Sequence, residues 1–209
     1  MNLLRRILVQ SKKPSGRFGR FLATGMNFGH SGLTKWGLGF IDIKSDIDVL
    51  DIGCGGGKTV KQLAGITTDG KVVGIDYSPD AVVVARKKNR ELINEGRVEI
   101  IQESVSLMKF SNDIFGLITA FESHYFWPDF RNDLKEVHRV MKQNGQFLIV
   151  GALYKNKKHE RRNKRFVDAV GMTYLSIEEF KDILEGVGYS DFDALEEKNK
   201  GWFAVKCKK

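Results

Sequence analysis

From Val49 onward, short apolar runs alternate with longer stretches whose apolar residues recur every three or four positions. Val49-Leu50-Asp51-Ile52 is an apolar run ending in glycines, the pattern of a strand buried on both faces. Lys58 to Ala64 reads as a helix, and Val72 to Asp76 as a second buried strand. Ser78-Pro79 then offers an N-cap and a first-turn proline, and apolar residues at Ala81, Val84, Ala85, Leu92 and Ile93 predict a helix to about Asn94. Val98 to Ile101 is a third strand and Phe115 to Ala120 a fourth. Phe130 to Met141 is a helix stopped near Asn144-Gly145, and Gln146 to Val150 a fifth strand. Ile177 to Val187 is a late helix. Asp191 to Leu195 and Trp202 to Cys207 close the chain as a hairpin.

This alternation predicts an α/β fold with a doubly wound sheet. No repeat and no second core interrupts it, so the 209 residues are read as one domain. Residues 1–45 are read as a basic arm and an N-terminal helical cap, and 46–152 as the cofactor-binding core. Residues 153–209 hold an insertion, the late helix and the closing strands. A composition of 42% hydrophobic and 29% charged residues is that of a soluble domain, and no apolar run is long enough to span a membrane. Charges interrupt the apolar start, and no small-residue cleavage site follows it, so no export signal is read. Two isolated cysteines, Cys54 and Cys207, make neither a disulfide framework nor a zinc site and suit a reducing cytoplasm. The net charge of +8 gathers in the N-terminal arm, in Lys155 to Arg165 and in the C-terminal tail. Solvated faces account for such clusters, as does an anionic partner.

The chemistry gathers at Gly53-Cys54-Gly55-Gly56-Gly57-Lys58-Thr59. A phosphate-binding P-loop would need glycine where Ile52 stands, and a dinucleotide loop would need glycine where Lys58 stands. The better match is a pair of carboxylates at strand ends, Asp51 before the glycines and Asp76 after the second strand. A carboxylate at a strand end can accept both hydroxyls of a ribose, and Asp51 could face an amino group. Two carboxylates suit a cationic nucleoside without phosphates, namely S-adenosylmethionine (SAM).

Val49 to Gly57 resembles the first motif of class I SAM-dependent methyltransferases, Val73 to Ser78 the second, and Leu134 to Gln146 the helix and turn before the fifth strand. The resemblance implies a Rossmann-like seven-stranded sheet with the last strand antiparallel, and SAM over the C-terminal edge of strands one, two and four. It departs from the family after strand three, where Gln102-Glu103-Ser104-Val105 replaces the usual Gly-Asp-Ala. Adenine is then expected on Ser104 or on the Val105 N–H. It departs again before strand four, where Phe115-Gly116 replaces Phe-Asp. The expected cofactor residues are Asp51, Gly53, Cys54, Gly55, Gly57, Asp76, Tyr77, Glu103, Ser104, Val105 and Ala120, with SAM as cofactor, S-adenosylhomocysteine (SAH) as its product and no metal.

Methyl transfer asks the protein to position an acceptor and, where needed, to take its proton. The loop after strand four, Phe121 to Asp129, is dense in aromatic and titratable groups. Glu122, His124 and Tyr125 are the expected catalytic residues, with Trp127 as a wall and His30 and Trp36 contributed by the cap. The seven Lys or Arg of Lys155 to Arg165 make the insertion a candidate lid that draws in an anionic acceptor. A small-molecule acceptor is the leading expectation. The alternatives are an RNA or protein methyltransferase using the basic clusters, and a SAM-binding protein without catalysis. The loop after strand four lacks the Pro-Pro-Tyr-type motif of nucleic-acid amine methylases, which lowers the nucleic-acid class.

Overall fold

Strands β1 (Val49–Ile52) and β2 (Val72–Asp76) are buried at every position, their apolar residues on both faces and the carboxylates Asp51 and Asp76 near their C-terminal ends. The computed structural model describes residues 31–209. The expected basic arm and the first part of the cap, His30 included, lie outside the described residues. With β3 (Val98–Gln102), β4 (Phe115–Phe121), β5 (Met141–Gly151), β6 (Ser190–Glu197) and β7 (Trp202–Lys208), these strands form one seven-stranded sheet in the order β3-β2-β1-β4-β5-β7-β6. The first five strands pair in parallel, and β7 runs antiparallel to both β5 and β6. Acidic side chains at Asp191, Asp193, Glu196 and Glu197 keep the β6 edge from pairing further.

Helices cover both faces. In chain order they are α1 (Ser31–Leu38), α2 (Lys58–Ile66), α3 (Pro79–Lys88), α4 (Arg90–Asn94), α5 (Phe130–Val140), α6 (Glu160–Val170) and α7 (Ile177–Glu185). Alternate strand residues sort into two cores: Val49 packs with residues of α1, α2 and α3, while Leu50 and Ile52 pack with residues of α5 and α7. The helix starts are capped as their sequences suggest. Ser78 accepts from the Ala81 N–H, Asp129 from the Asn132 N–H, and Ser176 forms a reciprocal capping box with Glu179.

Three elements differ from the sequence expectation. The helix expected from Ser78 to Asn94 is broken at Asn89, whose buried amide donates to the carbonyls of Gly57 and Ala85. The helix expected to reach Met141 ends at Val140, because Met141 is captured as a fully buried strand partner of Phe115. Asn144-Gly145 is therefore not a helix stop but part of a register shift inside β5, with Asn144 at φ 60°. The insertion contains helix α6. Its N-terminal approach is fixed to the sheet edge by Tyr154 donating to Glu196 (2.6 Å), and by contact of the His159 ring with the Lys198 carbonyl (3.2 Å).

Candidate cofactor and acceptor site

The order β2-β1-β4 places a switch point between β1 and β4, beyond whose C-terminal ends an open α/β sheet binds its ligands. A cavity of about 400 Å³ lies there, within the size range of small-molecule sites. Residues 51–56, 75–77, 103–105, 121–123 and 126–128 contribute to it from the four strand ends, and Thr34 contributes from α1.

The glycine loop is tied down by its backbone. The N–H groups of Gly53 and Cys54 both donate to the Ile75 carbonyl, at 2.8 and 2.9 Å. Gly55 sits at φ 52°, and a Cβ added to it would meet nothing within 4 Å. Glycine is thus needed there for the backbone conformation and for the space it leaves beside the cavity. Gly53, at φ 72°, shares the conformational need, and a Cβ there would also strike the Ser123 side chain. Ser123 in turn donates to the Ile52 carbonyl (2.6 Å), joining the loop after β4 to the loop after β1.

Asp76 organises this loop from the end of β2. Its two oxygens accept from the N–H of Gly55 and the N–H of Ser78, each at 2.9 Å. Burial raises its pKa, and the bonds from Ser78 and Gly55 partly offset that. Asp51 is buried at the end of β1. One oxygen accepts from the Thr119 hydroxyl (2.8 Å), and the other is buried without a hydrogen-bond partner. Burial pushes its pKa up to about 7, against the Thr119 bond and with a smaller push from Asp76. A buried carboxylate oxygen without a partner on a cavity wall calls for a donor from a ligand. These residues fit a cationic nucleoside such as SAM, whose donors the two carboxylates could take beside the open Gly55 surface.

The remaining expected residues divide. Cys54, Tyr77, Glu103, Ser104 and Val105 line the cavity. Burial first, then the nearby Asp76 and Asp51, hold Cys54 as a thiol, and burial with Asp76 pushes Tyr77 to about 12. Glu103 accepts from the Lys109 N–H and leaves its second oxygen buried without a partner. Gly57 and Ala120 do not line the cavity. Gly57 caps α2 at φ 72°, and a Cβ there would strike Ala85 of α3 and the Asn89 side chain.

On the acceptor side, Glu122 and Trp127 line the cavity, whereas His124, Tyr125 and Trp36 do not. His124 is 1% exposed and lies among Tyr125, Phe180 and Phe203, with ring centres 3.9, 5.5 and 5.6 Å away. Burial lowers its pKa to about 3, so the ring is neutral. Trp36 packs against Trp202 at 5.9 Å, which seats α1 on the sheet. Tyr125 is buried, and its hydroxyl donates to Glu122 Oε1 (2.7 Å). Thr34, Phe121, Ser123, Phe126 and Pro128 line the cavity and were not singled out from the sequence. The aromatic loop was a usable signal for all but Thr34, whose place depends on how α1 docks. No described residue of 155–172 lines the cavity. Among the described residues, no group of three or more His, Cys, Asp or Glu side chains is placed to hold a metal ion.

Comparison with known proteins agrees with this geometry. The family model of the methyltransferase domain matches residues 43–188. The sterol 4-C-methyltransferase of Caenorhabditis elegans is 25% identical over 124 residues, covering 59% of this chain and 36% of its own length. The demethylmenaquinone methyltransferase of Bacillus mycoides is 29% identical over 122 residues, covering 58% of this chain and 51% of its own. The chain thus aligns with about half, or less, of the length of these relatives. A SAM-dependent methyltransferase from Aquifex aeolicus superposes with a TM-score of 0.75 at 20% identity, over 90% of this chain and 97% of that one. A phosphoethanolamine N-methyltransferase of Haemonchus contortus, solved with phosphomonomethylethanolamine and S-adenosylhomocysteine, gives 0.77 at 16% identity, over 92% of this chain and 57% of that one. Fold, glycine loop, paired carboxylates and family match converge, and the chain belongs to the class I SAM-dependent methyltransferases.

Proposed function

We propose that the protein methylates a small, largely apolar acceptor bound beside the cofactor under α1 and the loop after β4. One observation carries this reading. Phe121, Phe126, Trp127 and Pro128 share a single cavity of about 400 Å³ with the glycine loop and Asp76. A cavity of that size with apolar walls favours a small molecule over a macromolecular chain. Among the described residues its lining holds four carboxylates, Asp51, Asp76, Glu103 and Glu122, and one cation, Lys58, which favours a cationic cofactor and disfavours a strongly anionic acceptor. The names of the sterol and demethylmenaquinone relatives support an apolar acceptor.

When bound, the cofactor supplies an electrophilic methyl group on a sulfonium. The chain's own residues do the rest. Asp76 receives the ribose hydroxyls, Asp51 the ammonium, and Ser104 or the Val105 N–H the adenine edge. The aromatic walls exclude water and attract the sulfonium through their ring faces. Calorimetric titration with SAM and SAH is the test. Both are expected to bind, and Asp76→Ala to weaken them roughly 10- to 100-fold through loss of charged hydrogen bonds. Unchanged affinity in a folded Asp76→Ala variant would refute this placement of the cofactor.

A further inference from the structure

Strand β4 reads Phe-Gly-Leu-Ile-Thr-Ala-Phe, and Thr119 is its one polar side chain. Thr119 is fully buried. A buried hydroxyl costs stability unless it is hydrogen-bonded, so its place in an apolar strand calls for a reason. The sheet register supplies one. Asp51 has two cross-strand neighbours, Gly74 on β2 and Thr119 on β4, and paired residues project to the same face. Gly74 has no side chain to offer, and a Cβ there would strike Val60, Ile100 and Cys54. Thr119 supplies the contact instead, its hydroxyl donating to Asp51 Oδ1 (2.8 Å). Oδ2 is left buried without a hydrogen-bond partner, in a residue that lines the cavity. Thr119 is itself paired with Asp51 on one side and Leu148 on the other, so the carboxylate is fixed by the sheet rather than by a loop.

We infer that Thr119 is a positioning residue of the cofactor site: it holds Asp51 by one oxygen, presents the other to the ammonium group of the cofactor's amino-acid tail, and so makes the site select a nucleoside that carries that ammonium. This rests on the methyltransferase reading above and deepens it. A hydroxyl that donates to a carboxylate fixes its plane and favours its ionised form. Burial pushes the Asp51 pKa up to about 7, the Thr119 bond holds it from going higher, and the nearby Asp76 adds a smaller upward push. Without the Thr119 hydroxyl, Asp51 would stay protonated through the neutral range and would meet a cation as an uncharged group. The titratable neighbours of Asp51 are Asp76, whose two oxygens accept from the Gly55 and Ser78 N–H groups, and Cys54, held as a thiol. Lys58, Tyr77, Glu103 and Glu122 also line the cavity.

The experiment uses the full chain and calorimetric titration from about pH 5.5 to 8.5. One probe is SAH. The other is 5′-methylthioadenosine, which keeps the nucleoside thioether and lacks the amino-acid tail. In the wild type, SAH affinity should rise with pH through about 7, and methylthioadenosine affinity should lack that rise. Thr119→Val keeps the branched shape of the buried side chain and removes the donor. The rise should then move up by roughly one pH unit, leaving SAH about tenfold weaker at pH 7 and nearer the wild-type value at the alkaline end. Thr119→Ala, which also removes the donor, should give the same shift, and Thr119→Ser, which keeps it, should give the wild-type profile. In an Asp51→Asn background, Thr119→Val should have no further effect on SAH, a coupling that a general loosening of the sheet would not give. An unshifted SAH profile in the donor-less variants overturns the inference and leaves the methyltransferase reading standing. So does an equal loss of SAH and methylthioadenosine affinity. Failure of SAH to bind the wild type overturns both.

Discussion

Asp51 carries a consequence at the scale of a single residue. With its pKa near 7 it is half protonated at neutral pH in the cofactor-free protein, chiefly because it is buried. The folded value lies above the unfolded carboxylate value, so folding gains from the protonated form at low pH, and that gain is lost as pH rises through about 7. An ammonium group brought to the free oxygen favours the ionised form, so cofactor binding should expel a proton. SAH affinity is therefore expected to rise roughly tenfold between pH 6 and 8. The calorimetric enthalpy near pH 7 should also depend on the buffer's ionisation enthalpy. Both effects should vanish in Asp51→Asn. A buffer-independent enthalpy in the wild type would show that the ligand's cation does not reach Asp51. Nothing local in the sequence announces this behaviour. The position of Asp51 at a strand end is legible, but its pKa depends on burial and on Thr119, 68 residues away.

At the scale of elements, α5 does more than cover the sheet. Arg139 donates to the carbonyls of Met108 and Phe110 and to the Asn112 side chain, and Glu136 accepts from the Met108 N–H while pairing with Arg139. The segment after β3, which begins with the cavity residues Glu103, Ser104 and Val105, is thereby clamped to a helix that does not line the cavity. Arg139→Ala should loosen this segment. Hydrogen exchange of amides 104–112 is expected to quicken, with SAH affinity down several-fold and the α5 amides little changed. Exchange in that segment identical to the wild type would show that the clamp contributes nothing. Elements were the most legible level in the sequence. The strands, the capped helix starts and the closing hairpin follow from periodicity and caps. What was not legible depended on distant partners. Asn89 breaks a helix to reach Gly57, and Met141 leaves a helix to pair with Phe115. His124, expected beside the acceptor, is instead enclosed by Phe180 and Phe203, which arrive from α7 and β7.

At the scale of the whole molecule, the basic insertion and the cavity occupy different places. The cavity lies at the β1–β4 switch point in the middle of the sheet, whereas the basic insertion is anchored by Tyr154, and through Lys158 on Asn199, to the edge strand β6 and the turn that follows it. Lys157, Lys158, Arg161 and Arg162 are exposed or partly so, and none of them lines the cavity. If the basic surface bound the substrate, as in an RNA methyltransferase, binding would release counterions and weaken steeply with salt. For a small apolar acceptor the surface charge is peripheral to the reaction. Reversing Lys157, Lys158, Arg161 and Arg162 to Glu together should then leave SAH affinity and small-molecule turnover within about twofold, since these exposed charges do not line the cavity and are screened by salt. Any RNA binding of the wild type should be weak. Electrophoretic and fluorescence titrations from 50 to 300 mM salt, at about physiological strength and on either side of it, give the discriminating readout. Tight RNA binding with a steep salt slope, abolished by the four reversals together with methyl transfer, would move the acceptor from the cavity's small molecules to a nucleic acid held across the basic edge.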